Sequence, residues 1–181
     1  ATFALVGNPN VGKTAVFNVL TGLSHTTGNY PGTTVAKRHG KVTLPSGNKV
    51  EIIDLPGTYS LAARSPDEMI VADVLLGQQA GEAKIDGLVV VLDAANLERN
   101  LYFYSQLVDL GKPLIVAVNM MDIARRRGIE IDFAALAHGL DAPVVAVSAS
   151  TPRRSAASNV SNAGNPAAAV KAMVPSRVAI S

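Results

Sequence analysis

The stretch Gly7-Asn8-Pro9-Asn10-Val11-Gly12-Lys13-Thr14 constrains this chain more than any other. It matches G-x-x-x-x-G-K-[ST], and it lies between a short β-branched run and an amphipathic one, the strand-to-helix context that a phosphate-binding loop requires. Its glycines let the backbone fold tightly enough to aim the N–H groups of Asn8, Asn10, Val11, Gly12, Lys13, Thr14 and Ala15 at phosphate oxygens. The start of the following helix adds a favourable dipole. Lys13 is expected to reach the β- and γ-phosphates, and the Thr14 hydroxyl to ligate Mg2+.

A strand before the loop and a helix after it commit the chain to a layered α/β fold, and the remaining pattern agrees. Phe3 to Val6, Val50 to Asp54, Leu88 to Asp93, Leu114 to Asn119 and Val144 to Val147 read as strands buried on both faces. Helices are expected at Gly12 to Leu20, Ser65 to Leu76, Leu97 to Leu110 and Phe133 to His138. Gly40 to Asp54 reads as a hairpin around Pro45-Ser46-Gly47-Asn48. The expected sheet is therefore mixed, mostly parallel and six-stranded, with one antiparallel strand. The loops after Val6, Asp54 and Val118 leave from the carboxyl edge, where such sheets bind ligands. Phe103, at helical spacing from Leu107, reads as core.

Composition narrows the class further. The 181 residues suit one domain, and 48% hydrophobic against 17% charged residues exclude a disordered chain. With no cysteine, disulfides and thiolate metal sites are excluded. A net charge of +2 with scattered basic residues gives no footprint for nucleic acid. No basic leader or long apolar segment precedes the phosphate loop, so no signal peptide is expected. The longest apolar runs fall well short of the roughly 20 residues of a membrane-spanning helix, so a soluble chain is expected. Arg125-Arg126-Arg127 reads as a solvated turn. His25, His39 and His138 lack metal-ligand spacing.

Two further motifs follow predicted strands. Asp54-Leu55-Pro56-Gly57 places a carboxylate where it can hold Mg2+ through water and brings the Gly57 N–H towards a γ-phosphate. Asn119-Met120-Met121-Asp122 resembles the N-K-x-D base-recognition motif of GTPases, with Met120 in place of lysine. The Asp122 oxygens can accept from N1–H and the exocyclic amine of guanine, a donor pair that adenine lacks. Met120 can cover the base face as a lysine stem does. Ser148-Ala149-Ser150 resembles the short loop whose backbone meets guanine O6.

Together with Gly28-Asn29-Tyr30-Pro31-Gly32-Thr33-Thr34-Val35 and Asn96-Leu97-Glu98-Arg99-Asn100-Leu101-Tyr102, these motifs resemble the cytoplasmic G domain of the FeoB family of bacterial ferrous-iron transporters, TRAFAC-class P-loop GTPases, over about residues 1 to 150. The resemblance implies a Ras-like P-loop GTPase fold. It makes residues 23–38 switch I, with Thr34 closing over Mg2+ and Thr33 as the neighbouring alternative. Switch II then runs over residues 54–67. Asn10, with the Gly28 and Tyr30 carbonyls, would hold K+ beside the phosphates. Lys13, Thr34 and Gly57 become the catalytic set. Thr58 stands where many small GTPases carry a water-orienting glutamine, so slow turnover is expected.

The resemblance also implies GTP and GDP as ligands, the transmembrane iron-permease domain of the full-length protein as partner, and residence at the cytoplasmic face of the inner membrane. It leaves room for a homo-oligomer and gives no reason to expect nucleic acid. The G domain is expected over 1–174, with an irregular loop at 151–164, a last helix at 165–173 begun by Asn165 and Pro166, and a tail at 175–181. The family's helical and membrane domains are expected to be absent. Two other readings compete: an RNA-associated assembly GTPase, which predicts a basic appended module, and a nucleotide sensor with negligible hydrolysis.

Overall fold

Each predicted strand forms, and the phosphate loop leaves the middle of the sheet. The computed structural model describes residues 1–22, 25–44, 47–79, 81 and 84–147. The expected loop at 151–164, helix at 165–173 and tail lie outside the described residues. The elements run β1 (Thr2–Gly7), α1 (Lys13–Thr21), β2 (His25–Asn29), β3 (Ala36–Thr43), β4 (Lys49–Asp54), α2 (Pro66–Leu76), β5 (Gly87–Asp93), α3 (Leu97–Val108), β6 (Leu114–Asn119), α4 (Met121–Arg126), α5 (Phe133–Leu140) and β7 (Val144–Ala146).

The sheet order is β2-β3-β4-β1-β5-β6-β7. Strands β4, β1, β5, β6 and β7 pair in parallel, and β3 runs against both of its neighbours, β2 and β4. One antiparallel strand is as expected, but the sheet has seven strands rather than six. The extra strand, β2, has the sequence His-Thr-Thr-Gly-Asn and leaves four of its five residues exposed. It carries no apolar alternation and exists through its backbone pairing to β3, for which pattern reading has no signal.

Burial follows from position in the sheet. Every residue of β1 and of β5 is buried, as parallel strands covered on both faces require. One core layer gathers Val6, Leu55, Val71, Leu88, Val90, Phe103 and Leu107, and the other gathers Phe3, Leu5, Phe17, Leu20, Val89 and Ile115. Phe103 is thus core, as expected. Helix α2 starts on Ser65, whose side chain accepts the Glu68 N–H, with Pro66 in its first turn. Arg125-Arg126-Arg127, expected as a solvated turn, is instead the end of a short helix. Arg125 and Arg126 form the last turn of α4, where basic side chains meet the negative helix end, and Arg127 caps it. All three remain solvent-exposed.

Candidate functional site

The phosphate loop is held in a shape few sequences allow. Asn10 and Gly12 have φ of 67° and 78°, in the left-handed region. A Cβ on Gly12 would stand 2.3 Å from Asn119 Nδ2 and 3.6 Å from Met120 Cε, so glycine is needed for space as well as for conformation. Gly12 caps α1 without a side-chain hydrogen bond, and the first turn has no acidic residue. The leading N–H groups and the positive helix end are therefore open to an anion. Neither amide atom of Asn8, 3% exposed, has a hydrogen-bond partner among the described residues. Buried polar atoms of this kind mark a place completed by a ligand or ordered water.

Beside the loop, an open cleft of about 500 Å³ is walled by Lys13, Thr14, Thr34, Asp54, Pro56 and Gly57, with Arg38 and Asp67 at its sides. Lys13 Nζ pairs with Asp54 Oδ1, their side chains only 10% and 5% exposed. The cleft thus unites Lys13, Thr14, Thr34, Asp54 and Gly57. The hydroxyls of Thr14 and Thr34 with one carboxylate make an all-oxygen donor set of the kind Mg2+ shares with phosphates, so the residues present fit that ion. Thr33, the alternative to Thr34, is turned away: its hydroxyl donates to the Tyr30 carbonyl at 3.0 Å and accepts from Val35 N.

The segment expected to be switch II, residues 54–67, is packed against the phosphate loop at its start. Thr58 N donates to the Gly7 carbonyl at 3.2 Å. A Cβ on Gly57 would meet the Pro9 backbone at 3.0 Å. Thr58 is 1% exposed, and its hydroxyl donates to Ser60 O at 2.8 Å and lies 3.3 Å from Glu68 Oε1. Buried and engaged, that hydroxyl cannot orient a water in the cleft.

The proposed base end approaches from the loop after β6. Asn119, 5% exposed, donates through Nδ2 to the Val11 carbonyl at 3.0 Å and so ties this loop to the phosphate loop. Met120 adopts φ 60° and caps α4, which puts Asp122 in the first helical turn. Asp122 Oδ2 accepts from Arg126 Nη2 at 2.9 Å, in a pair whose side chains are 52% and 73% exposed. Asn119 and Asp122 are not among the cleft walls, which enclose the phosphate end alone. Ser148, Ala149 and Ser150 lie outside the described residues.

The residues expected to hold K+ have other partners or face solvent. Asn10 is exposed, Gly28 is paired with Lys37 across β2 and β3, and the Tyr30 carbonyl accepts both the N–H and the hydroxyl of Thr33. Sequence reasoning missed Arg38, whose position opposite Asp54 in the β3–β4 register brings it to the cleft. Only the strand pairing reveals that. It also missed the contacts of Arg99 and Gln106 with switch II, described below.

Residues 1–159 match the family model for ferrous iron transport protein B. The Fe(2+) transporter FeoB of Leptospira biflexa is 45% identical over 145 residues, which is 80% of this chain and 20% of that protein. The chain therefore spans about a fifth of that relative's length. The cytosolic domain of L. pneumophila FeoB superposes with a TM-score of 0.75 at 46% identity, covering 82% of this chain and 57% of that one. The GMPPNP form of the T. maritima FeoB cytosolic domain gives 0.76 at 40% identity, covering 83% and 57%. Family model, identity and superposition agree with the P-loop GTPase fold: this chain belongs to the ferrous iron transport protein B family.

Proposed function

We propose that this chain is the GTP-binding and GTP-hydrolysing regulatory domain of a ferrous-iron transporter. The observation that carries the reading is the cleft at the head of α1, where Lys13, Thr14, Thr34, Asp54 and Gly57 meet. Without phosphate, Lys13 neutralises Asp54. A bound triphosphate offers the ammonium a stronger partner, so Lys13 turns to the β- and γ-oxygens and Asp54 is released. The Thr14 and Thr34 hydroxyls and, through water, Asp54 would hold Mg2+, which supplies charge neutralisation at the phosphates. The backbone N–H groups from Asn8 to Ala15 cradle the phosphate chain, and Gly57 N–H meets the γ-phosphate. At the other end Asp122 reads the guanine edge with Asn119 and Met120 beside it.

Turnover is slow in this reading, because the Thr58 hydroxyl is buried and no glutamine positions the attacking water. Catalysis then rests on charge placement by Lys13, Thr34 and Gly57. K+ held by Asn10 with the Gly28 and Tyr30 carbonyls would add positive charge there. It requires Gly28 to leave Lys37 and Thr33 to release the Tyr30 carbonyl. Loss of the γ-phosphate reorders both switches, and that change is passed to the iron-permease domain at the cytoplasmic face of the membrane. Among the described residues no helix is long and apolar enough to cross a membrane.

The test is phosphate release from GTP and from ATP, with Mg2+ or chelator, in K+ and in Na+. Slow, Mg2+-dependent release from GTP alone is expected, faster in K+. Release from neither nucleotide in either salt removes the enzyme reading. Guanine binding without release would favour the nucleotide-sensor reading, which the buried Thr58 hydroxyl supports.

A further inference from the structure

The segment just after Gly57 is fastened at two places, and the far fastening lies on α3. Gln106 Oε1 accepts two hydrogen bonds from it, 2.7 Å from Leu61 N and 3.1 Å from Ser60 Oγ, across 45 residues of sequence. Two turns earlier on the same helix, the Arg99 guanidinium lies 4.5 Å from the centre of the Tyr59 ring. Residues seven apart share one helix face, so Arg99 and Gln106 grip Tyr59, Ser60 and Leu61 from one side. At the near end, Thr58 N is bonded to the Gly7 carbonyl. Only Tyr59 lies between the two fastenings, and Gly57, one residue before the near one, lines the cleft.

We propose that Gln106 is a positioning residue for the hydrolytic step: by holding Ser60 and Leu61, it keeps the Gly57 N–H where the γ-phosphate arrives. This rests on the GTPase reading above. A loop already in place loses no conformational freedom when the reaction needs it, and the benefit falls on kcat rather than on nucleotide affinity. Gln106 touches neither nucleotide nor phosphate in this scheme. Its acceptor oxygen matters, not its amide nitrogen, so glutamate should replace it and a chain of the same length without an acceptor should not.

The experiment compares the unaltered chain with Gln106→Met and Gln106→Glu. Three readouts are taken: hydrogen exchange at the Leu61 amide, GDP affinity, and kcat and KM for GTP. Gln106→Met is expected to speed Leu61 exchange at least about fivefold and lower kcat about five- to tenfold, the scale of one or two lost hydrogen bonds. KM and GDP affinity should stay within about twofold, and Gln106→Glu should restore both exchange and kcat. Unchanged Leu61 exchange in Gln106→Met overturns the clamp. Faster exchange with an unaltered kcat, or an equal loss in Gln106→Glu, overturns the positioning role. An unaltered chain that releases no phosphate sinks the GTPase reading itself, and a Leu61 response that persists there reduces Gln106 to a structural tether.

Discussion

Asn119 offers the sharpest test of how the two ends of the site are joined. Its Nδ2 donates to the Val11 carbonyl at 3.0 Å, with Asn119 and Val11 5% and 3% exposed. Asn119→Ala deletes the donor and leaves a buried carbonyl unpaired, a cost of about 1–3 kcal/mol. For a domain of this size each kcal/mol lowers Tm by roughly 2–4 °C, so a fall of about 4–8 °C is expected at the middle of that range. Asn119→Asp keeps the shape but sets a carboxylate oxygen against the carbonyl oxygen in a buried place. It should cost more than the alanine, above about 3 kcal/mol, although it removes no volume. Both variants are melted without nucleotide, so that binding does not contribute to the midpoint. Fluorescent GDP titration then follows, with affinity expected to fall at least about tenfold in each. An aspartate variant that melts at or above the alanine variant would refute the reasoning, because size would then matter more than the donor.

Three other substitutions bear on separate parts of the site. Lys13→Ala strips Asp54, 5% exposed at its side chain, of its counter-charge. It should cost about 3 kcal/mol in a melt and abolish GTP binding, while Lys13→Ala with Asp54→Asn regains much of the stability but none of the binding. Gly57→Ala presses a methyl group on the Pro9 backbone at 3.0 Å, so steady-state phosphate release should fall about tenfold or more with GDP affinity kept; equal rates would refute the tight approach. Asp122→Asn should move nucleotide preference from guanine to xanthine, read by competition binding, because an amide N–H suits a carbonyl where a carboxylate suited an amine. Its exposed pair with Arg126 is worth under about 1 kcal/mol, so Tm should barely move.

Much of this was legible from residue pattern because the buried parallel strands state themselves as aliphatic runs: Leu114–Asn119 forms as read, and the other predicted strands shift by a residue or two. The phosphate loop was legible because glycine at position 12 and lysine at 13 have few other reasons to follow a strand. What stayed hidden depends on partners distant in sequence. Strand β2 is polar and is defined by its register with β3, from His25 opposite Gly40 to Asn29 opposite Ala36. Helix α4 is short and starts on Met120 with φ 60°, a conformation that methionine does not advertise. Arg38 reaches the cleft through the same register logic. Gln106 looks like any polar residue of an amphipathic helix until the loop of residues 59–61 is seen above it.

The outermost strand has a consequence for how little work the proposed switch must do. Thr26 to Asn29 are exposed, whereas Tyr30 and Val35, just beyond, are seated in the interior at 1% and 9%. Peeling Thr26 to Asn29 off β3 trades amide–amide bonds for amide–water bonds and uncovers little hydrocarbon, an exchange close to free-energy neutral, whereas His25 is held by its edge-on packing against Phe17 at 5.2 Å. In the proposed switch the turn beyond β2 would stay anchored through the Tyr30 and Val35 side chains, and the segment would swing about a fixed pivot rather than melt. A ligand contact worth only a few kcal/mol is enough to redraw this margin of the molecule while the interior keeps its packing.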